Sequence, residues 1–175
     1  MHRVLVASSS LTPEAEDCLV QANCEIIHRR LYWLSEDERC QHIGGVDAVI
    51  AGGEPWTERM IALAAPSLRI IARSGAGYEE IDIDVAGRHG VWVTNTPNAM
   101  GSAVADWTIA LILNLLRKIP TMIEQLKAGN WQEIEGRELG SMVLGVIGTG
   151  HIGREVIKRA HAFGTHVLAY DIIEN

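Results

Sequence analysis

Short apolar runs separated by stretches of helical periodicity fill the first 95 residues, and this alternation leaves few folds open. The runs are RVLVAS (residues 3–8), CEIIHR (24–29), DAVIAG (47–52), LRIIAR (68–73) and VWVTN (91–95). Strands alternating with helices imply a doubly wound, mostly parallel sheet. Runs without polar alternation, such as AVI and RII, imply strands buried on both faces. The intervening segments carry helix start and stop signals. Pro13 falls in a first turn with acidic residues near it, and Ser35 with Glu38 makes a capping box. Thr57 caps TERMIALAA, which Pro66 stops, and Gly90 ends DIDVAGRHG. SSS at residues 8–10 closes the first strand and reads as turn and cap material.

TPNAMGS (residues 96–102) is rich in turn formers and is a hinge candidate. The apolar segment that follows, residues 103–116, contains Asp106 and Asn114 and is too short to span a bilayer, so a buried helix is expected. Asp106 and Trp107 at its start read as an N-terminal acid and a core tryptophan; a ligand role is the alternative. A break at Pro120 leads to an amphipathic helix over residues 121–131. A strand (141–148), a helix (151–164) and a second strand (166–171) complete the reading.

Between those last two strands lie Gly148, Gly150 and Gly153, in the spacing G-x-G-x-x-G. Glycine-rich turns are common, but here a strand precedes the turn, a helix opens at it, and the next strand ends in Asp171. That combination is the dinucleotide fingerprint. The first glycine permits the tight turn, the second lets backbone approach a pyrophosphate, and the third lets helix pack on strand. The helix amino terminus supplies N–H groups and partial positive charge. A carboxylate at Asp171 would accept from ribose hydroxyls and repel a 2′-phosphate, which favours NAD over NADP. His151 opens the helix; contact with pyrophosphate and simple solvation are both open. Earlier in the chain, Ser74, Gly75, Ala76 and Gly77 follow a strand end. Their N–H groups form either a nest for a carboxylate or phosphate or a plain turn.

Composition excludes several other classes. A net charge of −7, from 22 acidic and 15 basic residues, repels nucleic acid phosphates. The three cysteines form no CxxC pair and their odd count fits reduced thiols in the cytoplasm. The seven histidines show no metal-ligand spacing, and no GxSxG elbow surrounds a serine. No segment reads as a signal peptide or a membrane span.

The stretches RSGAGYEEIDIDVAGRHGVWVTNTPNAMGSAVADWTIALILNLLRKIP and LGVIGTGHIGREVIKRAHAFGTHVLAYD together resemble the D-isomer-specific 2-hydroxyacid dehydrogenases. That family includes phosphoglycerate dehydrogenase, glyoxylate/hydroxypyruvate reductase and the C-terminal-binding-protein corepressors. The similarity runs over residues 50–171 and is generic before that. It implies an α/β protein of two domains, with substrate and cofactor in the cleft. Residues 1–98 would be a flavodoxin-like doubly wound substrate domain, which the family completes with a helix returning from the C-terminus. Residues 99–175 would be an incomplete Rossmann cofactor domain. The implied activity is hydride transfer between NAD and a small 2-hydroxy or 2-oxo acid. The alternative is an NAD(H)-sensing dimeric interaction protein of the corepressor type.

The resemblance assigns Ser74, Gly75, Ala76 and Gly77 to the substrate carboxylate. It assigns Gly148, Gly150, His151, Ile152, Gly153 and Asp171 to NAD, and the helix over residues 103–116 to a homodimer interface. Two departures stand out. His151 occupies a position where the family often has Arg. The family's catalytic Arg, Glu and His are expected downstream of Asn175, so no catalytic residue is assigned; the chain is expected to be an N-terminal portion, inactive alone. Gly52 and Gly53 stand where some phosphoglycerate enzymes carry a basic residue nearby, which argues against a phosphorylated substrate.

Overall fold

The structure, a computed structural model, describes residues 1–8 and 11–173. Ser9 and Ser10, within the expected turn at residues 8–10, lie outside the described residues. The chain divides into two compact units, Met1–Pro97 and Asn98–Asn175.

In the first unit the strands are β1 (His2–Val6), β2 (Cys24–His28), β3 (Ala48–Ala51), β4 (Ile70–Arg73) and β5 (Trp92–Thr94). They alternate with α1 (Pro13–Gln21), α2 (Glu36–Cys40), α3 (Glu58–Ala64) and α4 (Ile83–Arg88). All strand pairings are parallel, in the order β2-β1-β3-β4-β5. Each of these helices has its own side-chain cap: Thr12, Ser35, Thr57 and Asp82 accept from backbone N–H groups of the first turns. The Ser35–Glu38 box is reciprocal, as its spacing implies.

One face of the sheet is closed. Leu5, Ala7, Val49, Ala51 and Ile71 enter a core with Trp56, Met60, Ile61 and Val85. The other face departs from the expectation of strands buried on both sides at β3 and β4, whose residues there are half-buried, whereas Val4 and Val6 of β1 are buried. There Val4, Ala48, Ile50, Ile70 and Ala72 line an apolar groove of about 430 Å³. Leu19 of α1 reaches this groove, whereas α2, α3 and α4 contribute nothing to its lining.

The second unit contains α5 (Gly101–Leu116), α6 (Ile119–Lys127), a 3₁₀ turn (Leu139–Ser141), β6 (Val143–Ile147), α7 (His151–Ala162) and β7 (His166–Tyr170). β6 and β7 pair in parallel, with Val143 beside His166 and Ile147 beside Tyr170. One face of this pair meets the helices, where Ala105 and Ile109 of α5 pack on Val156 and Ala160 of α7, with Leu144 and Val167 alongside. On the other face Val143, Ile147, Leu168 and Tyr170 are exposed.

Three expectations are corrected here. The helix over residues 103–116 starts earlier, at Gly101, and is not buried: only Gly101, Ala105 and Ile109 are. Trp107 is no core residue, being 68% exposed in line with Val104, Leu111 and Leu115. The physical reason is that the segment is apolar all round, so its pattern carries no phase; Ala105 and Ile109 face α7, with Ile112 and Leu113 alongside, while Val104, Trp107, Leu111 and Leu115 face outward. Finally, the break before α6 lies at Lys118, which adopts a left-handed conformation with φ of 53°. Pro120 sits inside the first turn of α6, where its missing N–H costs nothing.

Candidate functional site

In the second unit the β6–α7 turn is built by its glycines. Gly148 has φ of 95° and its N–H donates to Tyr170 O at 2.7 Å, tying the turn to the end of β7. A Cβ on Gly153 would lie 1.9 Å from Gly148 O, so the first turn of α7 can fold back on the strand only with glycine there. Gly150 is the N-cap residue. Unlike α1 to α4, α7 has no side-chain cap and no acid in its first turn, so its positive pole is left to the turn. The sequence-expected residues Gly148, Gly150, His151, Ile152, Gly153 and Asp171 therefore share one turn and the adjacent strand tip.

Two of them behave in ways the sequence did not announce. His151 lies against the start of α5: a Cβ on Gly101 would fall 2.0 Å from His151 Cδ2. Asp171 reaches back into the glycine turn, where its Oδ2 accepts from Thr149 N at 2.5 Å and Thr149 Oγ1 at 3.1 Å. The Thr149 N–H, then its hydroxyl, hold the Asp171 carboxyl below the usual carboxylate range. Ile152 is exposed.

A polar staple fixes α7 to α5. Arg159 donates through Nε to Asp106 Oδ1 at 2.5 Å and through Nη2 to Ser102 Oγ at 2.7 Å. Its Nη1 donates to Glu155 Oε2 at 2.5 Å and lowers that carboxyl's pKa by hydrogen bonding. Asp106 is thus the partner of Arg159 rather than a lone N-terminal acid. Nothing in the local sequence of either helix marks the pair.

In the first unit residues 74–77 follow β4. The expected cradle of four N–H groups is narrower in the structure. Ser74 N donates to Ala51 O at 2.9 Å and Gly75 N to Arg73 O at 3.0 Å. The loop is held from the other side by Asn95 Nδ2 donating to Ala76 O and Thr96 N donating to Gly75 O. Among the described residues no hydrogen bond from Ala76 N or Gly77 N is found, which leaves those two donors unused within the loop.

Beside this loop is a cleft of about 350 Å³ at the carboxyl ends of β1, β3 and β4. It lies where the strand order reverses, between β1 and β3, the usual ligand position in a parallel sheet. Ser8, Arg30, Gly52, Gly53, Arg73 and Ser74 are among the residues that line it, and Arg73 Nη1 donates to Ser74 O at 2.7 Å. Arg30 and Arg73 thus put two basic residues among those that line the cleft with Gly52 and Gly53. Glu54, 1% exposed, fixes the glycine pair by accepting from Gly52 N at 3.0 Å and from Trp56 Nε1 at 3.2 Å. Neither arginine's place at this cleft was legible, because only the sheet order brings residues 30 and 73 to the same cleft.

The sequence and the fold have known relatives. The pattern of the D-isomer specific 2-hydroxyacid dehydrogenase catalytic domain matches residues 4–172, and the chain belongs to that family. It is 32% identical over 175 residues to the D-3-phosphoglycerate dehydrogenase of Sus scrofa, covering 99% of this chain and 32% of that protein. Among solved structures, the TT0316 protein of Thermus thermophilus superposes with a TM-score of 0.90 at 29% identity, over 99% of this chain and 57% of that one. The D-lactate dehydrogenase of Aquifex aeolicus, in complex with NAD and lactic acid, superposes with a TM-score of 0.79 at 26% identity, over 99% and 52%. The chain thus spans about a third of the length of the Sus scrofa enzyme.

Proposed function

We propose that this chain serves an NAD-dependent dehydrogenase, or 2-oxo acid reductase, acting on small 2-hydroxy and 2-oxo acids. Residues 1–98 form its substrate domain, whose β2-β1-β3-β4-β5 order is the flavodoxin-like one. Residues 99–175 belong to a Rossmann cofactor domain, with β6, α7 and β7 as its mononucleotide-binding unit. The observation that carries this reading is the Gly148 turn: an uncapped helix start, a Gly153 position no side chain fits, and a carboxylate at the next strand tip. Family membership and the NAD-bound relative support it.

Bound NAD supplies the hydride acceptor. The chain's own part is to bind and orient. The amino end of α7 and the backbone of Gly150 to Gly153 would hold the pyrophosphate, with His151 beside it, and Asp171 would accept from the adenosine ribose. Ala76 N and Gly77 N would hold the carboxylate of the acid, beside the cleft that Arg30 and Arg73 line. No residue of this chain is assigned to proton transfer. The three unpaired cysteines fit a reducing compartment, and we place the protein in the cytoplasm. The exposed row of α5 is proposed as a homodimer surface.

Asp171→Ala tests the reading through NADH and NADPH fluorescence titrations. NADH binding should weaken while NADPH binding holds or tightens, since a repulsive carboxylate is removed. Equal NADH and NADPH affinities already in the unmodified chain, unchanged by the substitution, would sink the ribose role.

A further inference from the structure

Thr149 lies at the first x of the glycine motif, a position to which the turn itself assigns no side-chain task. Its hydroxyl nevertheless joins its N–H on a single oxygen of Asp171. The other oxygen, Oδ1, accepts from Ile172 N at 2.7 Å and from Ile173 N at a longer 3.4 Å. A carboxylate offers about four acceptor positions. Two of those on Asp171 are thus taken by Thr149, and the weakly used side of Oδ1 is the one with capacity for a ligand hydroxyl.

We propose that Thr149 is a positioning residue that sets dinucleotide selectivity: its hydroxyl clamps Asp171 so that Oδ1 is presented to the ribose and the negative charge stays fixed at the tip of β7. The inference rests on the dinucleotide reading of the Gly148 turn. The clamp also makes the turn and the acid one unit, because Thr149 is bracketed by Gly148 and Gly150. Without the hydroxyl, the carboxylate keeps the Thr149 N–H but gains rotational freedom. A 2′-phosphate would then meet less repulsion, and a diol a poorer acceptor. The hydroxyl is among the groups that hold the Asp171 carboxyl below its usual range, second after the Thr149 N–H.

The test uses the 175-residue chain with Thr149→Val, which keeps the shape and removes the donor, and Thr149→Ser, which keeps the donor. Two readouts are taken: titration of the Asp171 carboxyl by carbon NMR without nucleotide, and NADH and NADPH affinities by fluorescence. In Thr149→Val the carboxyl should titrate at higher pH, and NADH-over-NADPH selectivity should fall about tenfold, the fold-change of one hydrogen bond to a charged group. Thr149→Ser should retain both properties. An unmoved carboxyl titration in Thr149→Val, or a Thr149→Ser variant as impaired as Thr149→Val, overturns the clamp. A chain that binds neither nucleotide while the carboxyl shift is present overturns the dinucleotide reading and leaves the clamp standing.

Discussion

At the level of single residues, backbone proximity decides what the Gly148 turn tolerates. Gly153→Ala forces a Cβ onto Gly148 O at 1.9 Å, and neither partner is a flexible side chain. Its cost should reach the overpacking range of about 1–3 kcal/mol, read as a lower urea midpoint for the second unit, with loss of NADH binding. Gly101→Ala is a different case, because the clashing atom is the His151 ring. Pairing it with His151→Ala should restore most of the stability, a coupling that a double-mutant cycle measures; strict additivity would show that the ring moves aside freely. The glycines were readable in the sequence because their spacing encodes the turn. Thr149 was not, since it acts on Asp171, a partner supplied by topology rather than by neighbouring residues.

At the level of elements, the staple between α5 and α7 has a pH signature. Glu155 is held below the usual carboxylate pKa by Arg159, so its folded-state pKa lies under its unfolded one. That contribution is complete above the unfolded value of about 4.3, and it is lost as pH falls through the folded-state pKa. Arg159→Met should therefore destabilise the second unit at pH 7, and the gap from the unmodified chain should close in acid. Urea unfolding at neutral and acid pH checks this; a gap independent of pH would remove Glu155 from the account. The strands and capped helices of the first unit were legible, since Val4–Val6 or Ile70–Ile71 form unbroken apolar runs and Thr12, Ser35 and Thr57 mark helix starts. The orientation of α5 was not, because Val104, Trp107, Leu111 and Leu115 look as core-like as Ala105 and Ile109.

At the level of the whole molecule, that outward row on α5 carries the proposed self-association. Trp107 and Leu115 are 68% and 77% exposed, and a contiguous apolar patch of this kind marks an interaction surface. Sedimentation should show a concentration-dependent dimer that Trp107→Glu converts to monomer with the far-ultraviolet spectrum unchanged; a monomer at all concentrations would exclude this interface.

The placement of β1 has a further consequence, for the order of assembly. It is an interior strand, bonded to β2 on one side and β3 on the other. His2–Val6 therefore waits for Ala48–Ala51 to be synthesised before its second partner exists, and the sheet is finished only at Thr94. Such long-separation pairings slow folding. On the ribosome, the first unit should stay protease-sensitive until β3 has emerged.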